Sequence, residues 1–306
     1  MVLGFLPRGV VEKPPAPTVQ LGINCELSMT NNCKTGFTLT ELLVVTAIIA
    51  ILAAELQAQN TTNRSPATPG PAAPLPGYKL TWQDEFEGVT LDSSKWTRRT
   101  DSKNLSTQKP DNVAVKDGLL HLNLKKEAAG GKDYTGAGII SLPTFKHGYY
   151  EARIKMPAGD GWHNSFWLMK HDGSGTTDSQ EASQGIDVAQ NDSIDHQSYT
   201  VAVNKYNPLP PEALGYQRLP SPDLAADFHV FGCEFTPATA KFFLDGKLVQ
   251  TVDVAKIPQG DMNIWINSIA SHLGGTPKVD DAAVPQEAQC DYVRVYVKTS
   301  ETSPAQ

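Results

Sequence analysis

The chain has 306 residues, 40% hydrophobic and 19% charged, a balance that excludes wholesale disorder and a length above one average domain. Its formal net charge is −7 and no basic run exceeds two residues, as at Arg98-Arg99 or Lys125-Lys126, which argues against nucleic-acid binding. The 22 prolines and 24 glycines favour turns over long helices.

In chain order, the first distinctive feature is the apolar run "FTLTELLVVTAIIAILAA" from Phe37 to Ala54. As a helix it would be about 27 Å long, enough to cross a thin hydrocarbon core. With the preceding "KTG" it resembles a type IV prepilin signal, in which a short basic leader is cut after a glycine and a glutamate stands five residues into the helix. Gly36, Phe37 and Glu41 match those positions. A leader of residues 1–36 is long for that family; starting at Met29 gives "MTNNCKTG", so the true start is placed there. An ordinary secretory signal cut near Ala58 is the alternative, and both put the remainder outside the cytoplasm. Residues 37–58 thus read as a membrane-anchoring helix. Residues 59–77, "QNTTNRSPATPGPAAPLPG", read as a semi-extended linker.

From 78 to 298 the periodicity is close to two, and 299–306 reads as a flexible tail. "LLHLNL" (119–124), "YYEARIKM" (149–156) and "YTVAV" (199–203) have strand character. "DYVRVYV" puts Tyr292, Arg294 and Tyr296 on one face and Val293, Val295 and Val297 on the other. "AKFFLDGKLVQTV" (240–252) predicts a hairpin turning at Asp245-Gly246. Short strands with no alternating helices predict an all-β, two-sheet sandwich. Cys25 and Cys33 would leave with the leader. Cys233 and Cys290 lie in strand-like segments, and sequence leaves open whether they are bonded.

No phosphate-binding loop, His-x-x-x-His pair or Gly-x-Ser-x-Gly elbow is present. His163 and His171 read as groove or surface polar groups rather than metal ligands. Trp162 and Trp167, shortly before "QGIDVAQND" (184–192), point to a groove in which indoles stack on sugar faces while amides and carboxylates meet the hydroxyls. Trp162, between Gly161 and His163, reads as the better groove candidate, and Trp167 is equally compatible with the core.

Four segments in order, "LTWQDEFEGVTLDSSKW" (80–96), "YTGAGIISLPTFKHGYYEARIKMP" (134–157), "FHVFGCEFTPATAKFFLDGKLV" (228–249) and "DYVRVYV" (291–297), resemble the laminarinase, agarase and carrageenase group of family-sixteen glycoside hydrolases. The resemblance implies a concanavalin A-like jelly roll, endo-acting hydrolysis of β-linked polysaccharide, no required cofactor, and substrate contacts at Trp162, His163 and Trp167. It also implies a structural calcium ion, with Glu85, Gly118 and Asp291 at the matching positions.

The family's catalytic strand follows Glu-x-Asp-x-x-Glu, with nucleophile, tuning aspartate and acid/base in that order. Residue i+5 reaches the face of residue i only if a bulge intervenes. The retaining mechanism needs the outer carboxyls about 5–5.5 Å apart. Here the strand reads Gly185-Ile186-Asp187-Val188-Ala189-Gln190, and only the aspartate remains. Glycine cannot form a glycosyl ester, and an amide cannot protonate a leaving oxygen. Glu181 reads as a loop charge, while Asp187 and Asp192 repeat the five-residue spacing.

Three functions are compatible with these residues. The first is a glycan-binding pseudo-hydrolase, monomeric and tethered to the membrane by its N-terminal helix. The second is an endo-glycanase working through substitute carboxylates. The third is a pilin-like structural subunit, against which "ELQAQNTTNRS" counts, because it follows the apolar run where a pilin helix would continue. The charge of −7 disfavours a highly sulfated ligand.

Overall fold

The computed structural model describes residues 75–171, 182–208, 210–272, 275 and 278–299. The leader, the apolar run, most of the linker, Cys25, Cys33, Glu181 and residues 300–306 lie outside the described residues. Among those described, no helix is long and apolar enough to cross a membrane.

The first strands are β1 (Tyr78–Asp84), β2 (Trp96–Arg98), β3 (Ser102–Lys103), β4 (Ser106–Gln108), β5 (Val113–Lys116) and β6 (Leu119–Leu124). There follow β7 (Tyr134–Ser141), β8 (Gly148–Lys155), β9 (Trp162–Met169), β10 (Gln184–Asp192), β11 (Ser198–Lys205) and β12 (Glu212–Pro220). The last are β13 (His229–Phe235), β14 (Thr239–Leu244), β15 (Lys247–Asp253), β16 (Asn263–Ala270) and β17 (Gln286–Lys298).

They form two sheets. The eight-stranded sheet runs β15-β14-β13-β8-β17-β6-β5, with β1 also on β17. The nine-stranded sheet runs β12-β11-β10-β9-β16-β7-β4-β3, with β2 also on β7. Pairing is antiparallel except between β4 and β7. This is the all-β, two-sheet sandwich that the period-two pattern predicts.

Alternation builds the core. Leu120 and Leu122 of β6, Val293 and Val295 of β17, and Phe166 and Leu168 of β9 all enter one cluster between the sheets. Each such burial stabilises by about 1.5–3 kcal/mol. The β14–β15 hairpin turns at Asp245 and Gly246, with φ of 49° and 76°, the left-handed pair that a two-residue turn requires.

Cys233 and Cys290 are free and buried. Cys233 pairs with Tyr150 from one side of β8 and Cys290 with Ile154 from the other. That places them two strand spacings apart and offset by four residues, roughly 10 Å by 13 Å, far beyond disulfide reach.

Candidate functional site

β10, β9 and β16 are neighbours in the middle of the nine-stranded sheet, and one face of this region lines a groove of about 380 Å³. That volume falls within the range of small-ligand clefts. On β9, His163, Ser165, Trp167 and Met169 line it. The even-numbered Phe166 and Leu168 point into the core.

Across from them, Asp187 is opposite Trp167, Gln190 opposite Ser165, and Asp192 opposite His163. The register shifts between Asp187 and Ala189 on one side and between Asp187 and Gln190 on the other. This is the bulge that the five-residue spacing demands, and it returns Gln190 to the groove face beside Asp187.

Asp187 is the one carboxylate among the described groove residues. Asn204 Nδ2 donates to its Oδ2 at 2.8 Å. Burial pushes its carboxyl up to about 6, against the lowering effects of Asn204, His163 and Gln190. It can therefore exchange a proton near neutral pH. Asp192 is engaged elsewhere, accepting a 2.7 Å hydrogen bond from His163 Nδ1.

Trp167 is held rigidly. Its Nε1 donates to Asn267 Oδ1 at 2.8 Å, and Arg99 Nη1 donates to the same oxygen at 2.9 Å. Arg99 is in turn gripped by Asp101 through two bonds of 2.9 and 2.6 Å. The indole lies 4.8 Å from that of Trp265, inclined by 31°. A fixed indole beside amides, a histidine and one carboxyl can stack a sugar ring and hydrogen-bond its hydroxyls.

Gly185 sits beneath Tyr206. A Cβ built there would stand 3.0 Å from Tyr206 Cε2, 3.1 Å from its hydroxyl oxygen and 3.2 Å from the Leu168 carbonyl oxygen. With glycine at 185 and an amide at 190, the groove presents no facing carboxyl pair.

Of the residues expected here, His163, Trp167, Asp187 and Gln190 line one groove, and Gly185 lies against its Tyr206. Trp162 corrects the sequence reading: it is 1% exposed and packs with Leu124, Ala270 and Val279. Its parity on β9 is opposite to that of His163, so the strand turns it away from the groove. Arg99, Asn204, Tyr206 and Asn267 were missed, because they arrive from other segments; a polar residue alternating with apolar ones on β16 was the available signal for Asn267.

At the calcium positions, Glu85 accepts two bonds from Arg294 at 2.8 and 2.9 Å, and Asp291 accepts one from Arg153 at 2.9 Å. Gly118 occupies a left-handed turn with φ of 72°. The two carboxylates already have guanidinium partners, so these side chains do not fit a dedicated cation cage. Among the described residues, no three His, Cys, Asp or Glu side chains gather to hold a metal.

Comparison with known proteins agrees with this geometry. Residues 80–298 match the family model described as beta-porphyranase A-D, GH16 domain, and residues 31–54 match the prokaryotic N-terminal methylation motif. The beta-glucanase of Rhodothermus marinus is 28% identical over 251 residues, covering 72% of this chain and 86% of that protein. The kappa-carrageenase of Pseudoalteromonas carrageenovora is 26% identical over 261 residues, covering 72% of this chain and 65% of that one. Among solved structures, SCLam, a non-specific endo-beta-1,3(4)-glucanase, superposes with a TM-score of 0.65 at 25% identity, covering 74% of this chain and 97% of its own. The laminarinase of Rhodothermus marinus shares the fold, with a TM-score of 0.63 at 22% identity and coverage of 73% and 99%. A groove of this shape on this sandwich, in a segment matched from 80 to 298, makes the chain a member of glycoside hydrolase family 16.

Proposed function

We propose that the sandwich holds a β-linked polysaccharide along the groove and does not cut it by the family's double displacement. One observation carries this reading: the groove keeps its platform and hydrogen-bonding groups, while the nucleophile and acid/base positions hold Gly185 and Gln190. Each missing group is worth orders of magnitude in rate, so their joint loss stops turnover by that route. Trp167 stacks the sugar, and His163, Asp187 and Gln190 meet its hydroxyls. The methylation motif supports an exported, surface-tethered protein.

The family description makes porphyran the first ligand to try, and the relatives' names add laminarin, carrageenan and other β-glucans. Binding by calorimetry and release of reducing ends are measured together on porphyran, agarose, carrageenan and laminarin. Saturable binding to at least one polymer with no release is the expected result. Steady release over many cycles removes the proposal. It would favour the competing reading, an endo-glycanase using Asp187, whose proton affinity near neutral pH suits an acid.

A further inference from the structure

In a retaining enzyme of this family a glutamate at position 185 would need space above β10. Tyr206 occupies that space. Its ring and hydroxyl both lie within 3.1 Å of where even the first side-chain carbon would stand. The ring is not a loosely placed surface group. Tyr206 is half-buried and packs with Trp167 on the cluster formed by Ile140, Met169, Ala182 and Trp265. Its backbone N–H donates to the Ser183 carbonyl at 2.9 Å, and the next residue, Asn207, reaches the Ala182 carbonyl through its side chain at 2.9 Å. The segment carrying the phenol is thereby anchored to the residues just before Gly185. Burial and the neighbouring Asp187 push the phenol up to about 12, so it stands as a neutral O–H at the groove.

We infer that Tyr206 is the third member of the altered site, filling the vacated nucleophile position and forming the groove wall at that point. The inference rests on the glycan-holding reading of the groove. It adds that this form is locked sterically as well as chemically. A glutamate restored at 185 would have to displace an anchored ring before its carboxyl could reach a sugar. Ring and hydroxyl together offer a bound sugar an apolar edge and a donor where a hydrolase offers a carboxylate.

A double-mutant cycle on the full chain tests the shared space through stability. Thermal midpoints are compared for the natural protein, Gly185→Ala, Tyr206→Ala and the double variant. The expected result is a loss of roughly 3–6 °C for Gly185→Ala in the natural background and less than half that loss beside Tyr206→Ala. Equal losses in both backgrounds overturn the inference. If Tyr206→Ala does not fold, Tyr206→Val leaves a smaller void and serves the same cycle. A second comparison pairs Gly185→Glu/Gln190→Glu with the same protein carrying Tyr206→Ala. Reducing-end release at least tenfold faster in the triple variant supports the inference, and a double variant that turns over as fast overturns it. Turnover by the natural protein would sink the glycan-holding reading while leaving the stability cycle to decide the packing.

Discussion

The outward face of the eight-stranded sheet and the groove face of the nine-stranded sheet both carry charged and aromatic side chains, yet they use them differently. On the outward face, Arg294 of β17 is bound twice by Glu85, lies 3.7 Å from the buried carboxylate of Glu151, and covers the ring of Tyr292. Tyr296 closes the set by donating to Glu151 at 3.1 Å. The charges there are matched among themselves. In the groove, the cation Arg99 is consumed in orienting Asn267 and Trp167, and Asp187 is left with amide partners and no bonded cation. A closed set holds the fold together. A set left short of partners is free to serve a ligand, and that costs stability.

Removing Arg294 should break the closed set with the largest effect. Arg294→Met leaves Glu85 and Glu151 without their cation, and the partly exposed site costs about 3 kcal/mol, at the low end for a broken ion pair. A fall in thermal midpoint of roughly 6–12 °C with glycan affinity unchanged is expected. A shift in affinity would mean that the two faces are coupled.

The next effect belongs to the groove. Trp167→Ala removes the fixed platform and should weaken polysaccharide binding by about 2 kcal/mol, near thirtyfold in Kd by calorimetry. Undiminished affinity would place the ligand elsewhere on the sheet.

The smallest effect distinguishes the faces by pH. Asp187 binds its proton more tightly folded than unfolded, with values of about 6 and 3.8. Its contribution is therefore most favourable below about pH 3.8, is lost as pH rises through 6, and is a constant penalty above that. Asp187→Asn should stabilise the domain by about 1–2 kcal/mol at pH 7, with the gain vanishing towards pH 4. Denaturant titrations of both proteins across pH 4–8 measure it. A gain independent of pH would show that the carboxyl is not held in its protonated range.

The sandwich was legible because its strands alternate cleanly: the leucines of 119–124 and the valines of 291–297 announce which face is buried, and Asp245-Gly246 announces the turn. The catalytic strand was equally legible, including its bulge, because a five-residue spacing cannot reach one face without an added residue. Trp162 failed because the flanking Gly161 and His163 were read as signs of exposure, when parity along β9 decides the matter. Tyr206 and Asn204 were not legible at all. They reach the groove from β11 and the turn beyond it, and their meaning depends on an antiparallel register that pairs Asn204 with Gly185.

The two thiols on opposite flanks of β8 set one further condition on the domain. With burial also pushing both above their ordinary range, neither offers an accessible thiolate, and no covalent cross-link contributes to the fold. The sandwich should reach the same native state in glutathione-rich cytosol as in an oxidising exterior. Its maturation then needs no oxidoreductase partner, and dithiothreitol should leave its melting curve where it was.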